Sequence, residues 1–255
     1  MQWTFIKVLK DNYVWVLYNA NKEAIIIDCG DSQVVKSFLD NHHLTLKYIL
    51  LTHSHYDHKD GIKELQAATN ALVVGNKNYA QRLPKLDIAA DYNQELVLLE
   101  QKLAVLNTAG HCADHISYYF NDLKMLFCGD CVFSLGCGRI FEGTPKEMIN
   151  SFNLLKRLPK ESLVFPGHEY TKSNLIFTKS LDFFNLEERE NFILNNEVTL
   201  PSTWDFELKC NPFLNLDNKS FQRHIENKEG LTEGAMSDQE KFLQRLRFLK
   251  NAALQ

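Results

Sequence analysis

Hydrophobic positions divide the chain into two parts with different periodicity. Up to about residue 168, short runs rich in β-branched and aromatic residues alternate with amphipathic segments. Beyond that point, apolar residues recur almost only at helical spacing. We therefore predict an α/β domain over residues 1–168, followed by a smaller helical domain over residues 169–255.

The individual segments can be assigned from the same pattern. Strands are predicted over residues 3–8, 13–18, 24–28, 47–51, 71–75, 95–99, 103–108, 115–120, 124–128 and 162–167. Helices are predicted over residues 32–42, 59–69, 145–158, 174–185, 186–196 and 237–251. Asp31 and Thr144 are suited to cap two of these helices, and Pro145 fits a first helical position. Residues 198–217 are rich in turn formers and contain proline, which favours a loop.

Composition restricts the function classes. The chain has 255 residues, of which 45% are hydrophobic and 24% charged, as in a soluble globular protein. The net charge of −4 argues against a general nucleic-acid-binding surface. The longest apolar run, residues 13–18, is too short to cross a bilayer, and the N-terminus has no signal-peptide pattern. We expect a cytoplasmic monomer with a small-molecule substrate and no membrane or nucleic-acid partner.

The cysteine pattern favours reduced thiols. Six cysteines in a chain of 255 residues do not resemble a disulfide scaffold. Cys128 and Cys131 form a CxxC, but no second CxxC is present for a zinc ribbon. We favour small residues at a strand end over a redox or metal role for this pair.

The segment "THSHYDH", residues 52–58, places three histidines and an aspartate directly after a predicted strand. His53 and His55 can turn the same way in extended chain, whereas Asp57 and His58 open the following helix. Adjacent side chains diverge, so two neighbouring metal ions fit this segment better than one. The alternative is a solvated histidine-rich loop, which is how we interpret the exposed-looking pair at residues 42–43.

Three further metal-binding side chains follow strands by one to three residues: His111, Asp130 and His168. Strand ends meet at a common sheet edge, so these side chains can converge with the first segment. We predict two sets of ligands joined by Asp130 as a bridge, namely His53, His55 and His111 for one metal and Asp57, His58 and His168 for the other. Nitrogen and oxygen donors without thiolate suit zinc first, with iron or manganese as alternatives.

The remaining residues near these ligands are given other roles. His115 is predicted to be a core or ligand-orienting histidine, and His224 to be exposed. Cys112 and Cys131 adjoin ligands but are expected to point away from them, with a metal contact by one of them as the alternative.

The motif His53-x-His55-x-Asp57-His58 resembles that of the metallo-β-lactamase superfamily. Within it, the segments "GCGRIFEGT" (136–144), "PGHEYT" (166–171) and "LPSTWDFELKCNPF" (200–213) are similar to those of the hydroxyacylglutathione hydrolases, or glyoxalase II. The likeness covers nearly the whole chain. It implies a four-layer αββα sandwich whose catalytic domain spans residues 1–168 and whose glutathione-binding helical domain spans residues 169–255.

The resemblance also implies an activity, the hydrolysis of S-D-lactoylglutathione to D-lactate and glutathione, which is the second step of methylglyoxal detoxification. The glutathione-binding residues that it implies are Arg139, Phe141, Tyr170, Arg247 and Lys250. Arg139 and Phe141 stand where some relatives have lysine and tyrosine. The run "AGHCAD" (109–114) departs from the PGHTxG-like run expected of the family.

The implied chemistry is attack of a metal-held hydroxide on the thioester carbonyl. Asp57 and Asp130 take part as ligands that hold this hydroxide. The leaving thiolate has a pKa of about 8.5 and departs without a general acid. Asp28 and Thr52 are predicted to orient the ligands from behind.

Two other functions remain open from the sequence. A glutathione persulfide dioxygenase with one iron shares the histidine motif, although residues 247–250, "RFLK", argue against it. A non-catalytic, metal-stabilised binding module is the other, and the full set of seven ligands argues against that.

Overall fold

The computed structural model describes residues Met1–Ala253, which form two six-stranded sheets and a short hairpin. The first sheet contains, in spatial and chain order, β1 (Gln2–Val8), β2 (Asn12–Tyr18), β3 (Glu23–Ile27), β4 (Thr45–Leu50), β5 (Leu72–Asn76) and β6 (Ile88–Ala90). The second contains β7 (Glu95–Leu98), β8 (Gln101–Asn107), β9 (Ile116–Phe120), β10 (Met125–Gly129), β13 (Leu163–Pro166) and β14 (Ser202–Thr203). The hairpin pairs β11 (Val132–Phe133) with β12 (Gly136–Cys137).

Helices cover the outer faces of the sheets. They are α1 (Ser32–Asn41), α2 (Tyr56–Lys59), α3 (Ile62–Thr69), α4 (Pro145–Leu155), α5 (Thr171–Ser180), α6 (Glu187–Asn195), α7 (Trp204–Cys210), α8 (Lys219–Lys228) and α9 (Gln239–Ala253). Two 3₁₀ helices span Lys77–Arg82 and Pro212–Leu214. None of the helices within residues 1–253 combines the length and the apolar character that a membrane span requires.

Strand β2 is apolar from Tyr13 to Leu17 because both of its faces are buried. Tyr13, Trp15 and Leu17 pack between the two sheets, against residues of the second sheet. Val14 and Val16 point to the opposite face and pack under the first layer of helices. This two-sided burial is what a strand at the centre of a layered sandwich requires.

The layers follow the order helix, sheet, sheet, helix. Val35 of α1 and Leu65 of α3 pack on the outer face of the first sheet. Phe152 of α4, Trp204 of α7 and Phe242 of α9 pack on the outer face of the second. The predicted four-layer αββα sandwich, with helices at the C-terminal end of the chain, is therefore confirmed.

Strand direction brings several strand ends to one edge. In the first sheet β3 and β4 are parallel, and in the second β10 and β13 are parallel. Because β8 and β10 are both antiparallel to β9, they also run in the same direction. The segments that follow these strands therefore emerge together, as expected for a ligand-binding edge.

Several of the predicted elements differ in extent from the observed ones. The helix predicted over 59–69 is interrupted at Gly61, where a Cβ would lie 2.6 Å from Ser32 N and leave no room for another residue type. Asp28 lies beyond the end of its strand, with a left-handed φ of 62°. The helix predicted over 174–185 begins three residues earlier, at Thr171, and ends at Ser180, five residues before the predicted end.

Some elements were not predicted at all. The stretch 198–217, interpreted as a loop, contains β14, α7 and a 3₁₀ helix, and β6 and α8 were also missed. These elements are short, and their packing partners lie far along the chain, so local periodicity carries little information about them. His224 was predicted to be exposed; this is wrong, because it is half-buried with Nε2 2.8 Å from the Leu181 carbonyl oxygen.

Candidate metal centre

Three histidines from two loops direct one ring nitrogen each to a common point. His53 Nε2 lies 3.2 Å from His55 Nδ1, which lies 2.9 Å from His111 Nε2. His53 and His55 follow β4, whereas His111 follows β8. The structure thus brings together the first predicted ligand set.

The opposite ring nitrogens are all held by hydrogen bonds. His55 Nε2 lies 3.2 Å from the Glu142 carboxylate, and His111 Nδ1 lies 2.7 Å from the Arg139 carbonyl oxygen. His53 Nδ1 lies 2.9 Å from Thr52 Oγ1. Since Thr52 Oγ1 donates its own hydrogen to Asp28 Oδ2 at 2.8 Å, it accepts from His53. Each outer nitrogen therefore carries the proton, and each inner nitrogen presents a lone pair.

The second predicted set has the same arrangement. His58 Nδ1 lies 2.8 Å from Asp28 Oδ2, and His168 Nδ1 lies 2.8 Å from Asp11 Oδ1. Their Nε2 atoms face each other at 3.3 Å, and Asp57 Oδ2 lies 3.4 Å from that of His168. With one proton held on each Nδ1, a cation that displaces the proton from each Nε2 would meet two nitrogen lone pairs beside a carboxylate.

Asp130 lies between the two sets. Its Oδ1 is 3.4 Å from both His58 Nε2 and His168 Nε2, whereas its Oδ2 is 3.5 Å from His111 Nε2. Oδ1 is buried and has no hydrogen-bond partner among residues 1–253. One oxygen thus faces each set, which is the placement a bridging carboxylate needs.

These observations fit divalent metal ions. Lone pairs that converge without a hydrogen between them repel each other unless a cation lies at the centre. Two tetrahedral donors about 2.0–2.1 Å from zinc lie about 3.4 Å apart, close to the nitrogen spacings of both sets. The residues present can therefore hold divalent metal at this edge of the sheets.

The carboxylates of the centre are held in their ionised form. Burial disfavours the charge of Asp130, but in the metal-free protein the positive charge of the protonated His168 and His58 rings outweighs burial and holds the pKa of Asp130 well below the usual range. Burial also raises the pKa of Asp57, but the hydrogen bond with His168 opposes this effect, and the resulting pKa lies below the usual value. Ionised oxygens are the form that binds a cation.

Glycines beside the ligands leave the space that the side chains occupy. A Cβ on Gly167 would lie 2.7 Å from His58 Cε1 and 2.8 Å from Asp130 Oδ1. A Cβ on Gly138 would lie 2.9 Å from His111 Nδ1. The glycines next to the predicted ligands therefore have a packing reason.

Asp28 and Thr52, the two residues predicted to orient the ligands, contact the ligands His58 and His53. Asp28 accepts from the Thr52 backbone N–H at 2.8 Å and from its hydroxyl, besides its contact with His58. His115 is fully buried: its Nε2 accepts from the Asp130 N–H at 3.0 Å, and its Nδ1 lies 2.8 Å from Thr108 Oγ1. His115 thus orients Asp130, as the sequence suggested, and both of its nitrogens are already engaged.

Sequence reasoning missed three residues at this centre. Asp11 bonds His168, Asn12 Nδ2 donates to Asp57 Oδ2 at 2.9 Å, and Glu142 lies beside His55. Asp11 ends the β1–β2 turn and Asn12 begins β2, far along the chain from the histidine motif. Their only signal is a pair of turn-forming polar residues between two apolar strands.

A cleft of about 430 Å³ extends from the metal centre. His111 and Asp130 line one end of it, and the lining also includes all the residues predicted to bind glutathione, namely Arg139, Phe141, Tyr170, Arg247 and Lys250. The structure therefore brings together two groups of residues that are separate in the sequence.

The cleft residues differ in burial. Lys250 is only 5% exposed, and its Nζ donates to Asn174 Oδ1. Arg247 donates to the Cys137 carbonyl oxygen at 3.0 Å, and Tyr170 stacks on His168 with ring centroids 4.8 Å apart. Phe141 is 60% exposed, with its ring edge-on to His111 at 5.3 Å.

All six cysteines are free and buried within the described part of the chain. Cys128 and Cys131 pack in the hydrophobic core, as favoured from the sequence. Cys112 was expected to point away from the ligands; this is wrong, because its sulfur lies within 4.8 Å of a ring nitrogen of His55 and a carboxylate oxygen of Glu142. The loop after β8 turns back on itself, with Gly110 N bonded to the Cys112 carbonyl oxygen, so the alternation of extended chain does not apply.

Sequence families match both parts of the chain. The model of the metallo-beta-lactamase superfamily matches residues 10–168, and that of the hydroxyacylglutathione hydrolase C-terminus matches residues 169–253. The hydroxyacylglutathione hydrolase of Bartonella tribocorum is 37% identical over 237 residues, covering 90% of this chain and 93% of the relative. That of Vibrio parahaemolyticus is 39% identical over 230 residues, covering 88% and 90%.

Solved structures share the fold at lower identity. ETHE1 from Myxococcus xanthus superposes with a TM-score of 0.67 at 24% identity, over 92% of this chain and 94% of that one. The BLEG-1 B3 metallo-beta-lactamase gives a TM-score of 0.66 at 24% identity, over 84% and 99%. The sequence matches, together with the histidine and aspartate clusters, show that the chain belongs to the hydroxyacylglutathione hydrolases of the metallo-β-lactamase superfamily.

Proposed function

We propose that the protein hydrolyses S-(2-hydroxyacyl)glutathione thioesters, with S-D-lactoylglutathione as the main substrate and D-lactate and glutathione as products. This activity would place it at the second step of methylglyoxal detoxification. The observation that carries the proposal is the single cleft in which the metal-binding residues adjoin a group of cationic side chains. The family membership of the chain supports it.

Two divalent ions would be held, one by His53, His55 and His111 and the other by Asp57, His58 and His168, with Asp130 shared between them. Zinc suits these nitrogen and oxygen donors, as do iron and manganese. When bound, such a pair lowers the pKa of water towards neutrality and polarises a carbonyl oxygen.

The residues of the chain supply orientation for this chemistry. His168 and His58 donate hydrogen bonds from Nδ1 to Asp11 and Asp28, which keeps their protons on the outer nitrogens and leaves the inner nitrogens available to a cation. Asn12 restrains Asp57 in the same way. Asp57 and Asp130 thus act as fixed anionic ligands, and neither is needed as a proton donor to the leaving group.

Glutathione carries two carboxylates, which match the cationic end of the cleft. Arg139, Arg247 and Lys250 would bind them through charge-assisted hydrogen bonds. The sulfur then lies towards the metal centre, and the thiolate, with a pKa of about 8.5, leaves unassisted. Phe141 has no hydroxyl, so it contributes packing or its backbone, and Tyr170 borders the thioester through its stacking on His168.

We infer a division of labour between residues 1–168, which supply the metal ligands, and residues 169–255, which supply Tyr170, Arg247 and Lys250. The described cleft combines metal-binding and cationic residues of the same chain, which supports the proposal of an active monomer. The six free cysteines favour a reducing compartment such as the cytoplasm.

Thiol release from S-D-lactoylglutathione, measured with metal analysis of the same sample, tests the proposal. The matched control is a lactoyl thioester of N-acetylcysteamine, which lacks both glutathione carboxylates and should be hydrolysed far less efficiently. Equal efficiency for the two thioesters would contradict glutathione recognition. Oxygen uptake with glutathione persulfide, in the absence of thioester hydrolysis, would favour the dioxygenase instead.

A further inference from the structure

Lys10 is a further cation in the wall of the cleft. It follows β1 and directly precedes Asp11, whose Oδ1 lies 2.8 Å from His168 Nδ1. Its position is therefore on the His168 side of the metal centre. Arg247 and Lys250, in contrast, come from α9, and Lys250 is almost fully buried. The cleft thus receives positive charge from two separate parts of the fold.

The Lys10 side chain is exposed and available to a ligand. Lys10 and Asp11 also line a second cavity of about 230 Å³, whose wall includes Glu197. Asp11 pairs with His168 and Glu197 pairs with Lys7, so in the described part of the chain the Lys10 ammonium is left without an ion-pair partner. A charged group of a substrate can therefore reach Lys10 without displacing an internal contact.

The two cationic places differ in the charges around them. Lys10 adjoins the Asp11 carboxylate in both cavities, and further carboxylates line the second one. Among the described residues that line the cleft, only Asp11 and Asp130 carry a carboxylate, and both contact histidines of the metal centre. Arg247 and Lys250 therefore suit a simple anion, whereas the wall at Lys10 suits a group that carries both signs of charge.

Glutathione has one head group of each kind. Its glycyl end is a carboxylate alone, whereas its γ-glutamyl end carries an α-carboxylate together with an α-ammonium group. The two arms leave the central cysteine from opposite ends of its backbone, so they diverge from a thioester held at the metal centre. A substrate in this cleft therefore presents an anionic arm and a zwitterionic arm to different parts of the wall, and electrostatic complementarity fixes which arm goes where.

We propose that Lys10 binds the α-carboxylate of the γ-glutamyl arm, with Asp11 and Glu197 facing its ammonium group, while Arg247 and Lys250 hold the glycyl carboxylate. This assignment rests on the proposed hydrolysis of glutathione thioesters and adds a separate binding place for each arm of the substrate. Lys10 then contributes to the selection of glutathione over thiols that lack the γ-glutamyl arm.

Lactoyl thioesters of three thiols separate the two arms. They are glutathione itself, N-acetylcysteinylglycine, which lacks the γ-glutamyl head group, and glutathione amide, which lacks the glycyl carboxylate. Lys10→Met should lower kcat/KM for the glutathione thioester by roughly threefold to tenfold, as expected for one charged contact at an exposed side chain. The same loss should appear with glutathione amide and nearly disappear with N-acetylcysteinylglycine. Lys250→Met should show the opposite pattern.

Matched variants separate this role from a general effect of charge. Lys10→Arg keeps the cation and should retain most of the efficiency. Lys63→Met, at an exposed lysine of α3, changes the net charge by the same amount and should match the wild type with all three thioesters. The assignment would be overturned by a Lys10→Met protein that matches the wild type, by an equal loss with all three thioesters, or by a loss that disappears only with glutathione amide.

Binding of S-methylglutathione, which is not a thioester and cannot be hydrolysed, tests the place of Lys10 independently of catalysis. Calorimetry on the zinc-loaded proteins should give a higher Kd in Lys10→Met than in the wild type. The Kd of S-methyl-N-acetylcysteinylglycine should be nearly the same in both proteins. If this pattern is found while no thioester is hydrolysed, the proposed hydrolysis is wrong and the role of Lys10 stands. Equal Kd values for S-methylglutathione would overturn that role even with hydrolysis intact.

Discussion

Asp11 Oδ1 lies 2.8 Å from His168 Nδ1, although the two residues are 157 positions apart. The backbone supports this contact, because Asn12 forms an isolated β-bridge with His168, and Glu169 N donates to the Asp11 carbonyl oxygen at 3.0 Å. The hydrogen bond from His168, the largest influence on Asp11, lowers the pKa of this carboxyl group. The β1–β2 turn is thus a fixed support for one ligand of the second set.

Asp11→Ala should weaken the binding of one metal ion and leave the other nearly unchanged. Without the carboxylate, the His168 ring can rotate and its proton can move to Nε2. Loss of such a supporting partner typically costs about 10- to 100-fold in metal affinity. Zinc titration with a competing chelator measures the two affinities separately.

Asp11→Asn is the matched variant, because its amide oxygen can still accept the His168 proton. Its affinity should lie between those of wild type and Asp11→Ala. Asp122→Ala, at an exposed aspartate in the β9–β10 turn, serves as the control and should bind both ions normally. Unchanged zinc affinities in Asp11→Ala would contradict the supporting role.

Asp28 is predicted to combine a folding role with a ligand-orienting role. Asp28→Ala removes the acceptor for Thr52 and His58 and also forces alanine into a left-handed φ of 62°, which asparagine tolerates better. The metal-free Asp28→Ala protein should lose about 1–3 kcal/mol of unfolding free energy, the typical result of leaving buried donors unpaired. Urea unfolding measures this loss, and Asp28→Asn should retain most of the stability while still weakening metal binding.

Lys250 should make substrate binding depend on pH. Burial, followed by the neighbouring Arg247, lowers the pKa of Lys250 to about 8. Below this pH the free enzyme holds a charged ammonium group that attracts a glutathione carboxylate, and above it the charge is lost. We therefore expect kcat/KM to fall as the pH rises through 8, while kcat at saturating substrate changes less.

Two variants test this assignment. Lys250→Met keeps the length but not the charge, so KM should rise roughly 10- to 100-fold below pH 8, the equivalent of about 1.5–3 kcal/mol for a charged hydrogen bond. Lys250→Arg keeps the charge throughout this range and should remove the alkaline fall. A fall that persists unchanged in Lys250→Arg must come from another group.

Gly167→Ala should disrupt the centre through a single methyl group. That methyl would lie 2.7 Å from His58 Cε1 and 2.8 Å from Asp130 Oδ1, so at least one ligand must move. Gly75→Ala is the control, since its methyl would meet only the flexible ends of Leu86 and Leu83 away from the centre. Metal content after purification should fall in Gly167→Ala and stay unchanged in Gly75→Ala. Equal metal contents in the two variants would show that the ligands can accommodate the methyl group on Gly167.

The positions of the proposed ligands could be inferred from the sequence because each follows an apolar run. The strand that ends at Leu50 leads into the histidine motif, and the one that ends at Gly129 leads into Asp130. Strand ends in a layered sheet share an edge, so a local pattern was enough to predict which side chains meet. The fold class followed from the same alternation of strands and helices together with the family resemblance.

The contacts behind the ligands could not be inferred in this way. Asp11 reaches His168 only because β2 and the loop after β13 lie side by side, which no local pattern specifies. Cys112 approaches Glu142 because the loop after β8 folds back, contrary to the extended chain assumed from the sequence. Helix α7 was missed because it has only 7 residues between turn-forming segments, which is too few for a helical hydrophobic period to be visible.

The central claim is that two cations held side by side make water reactive towards a glutathione thioester. Thiol release from S-D-lactoylglutathione should be measured as zinc is added stepwise to the metal-free protein. We predict activity near zero without metal and a rise that continues to two equivalents per chain. Full activity in the metal-free protein, or a maximum at one equivalent, would contradict the account.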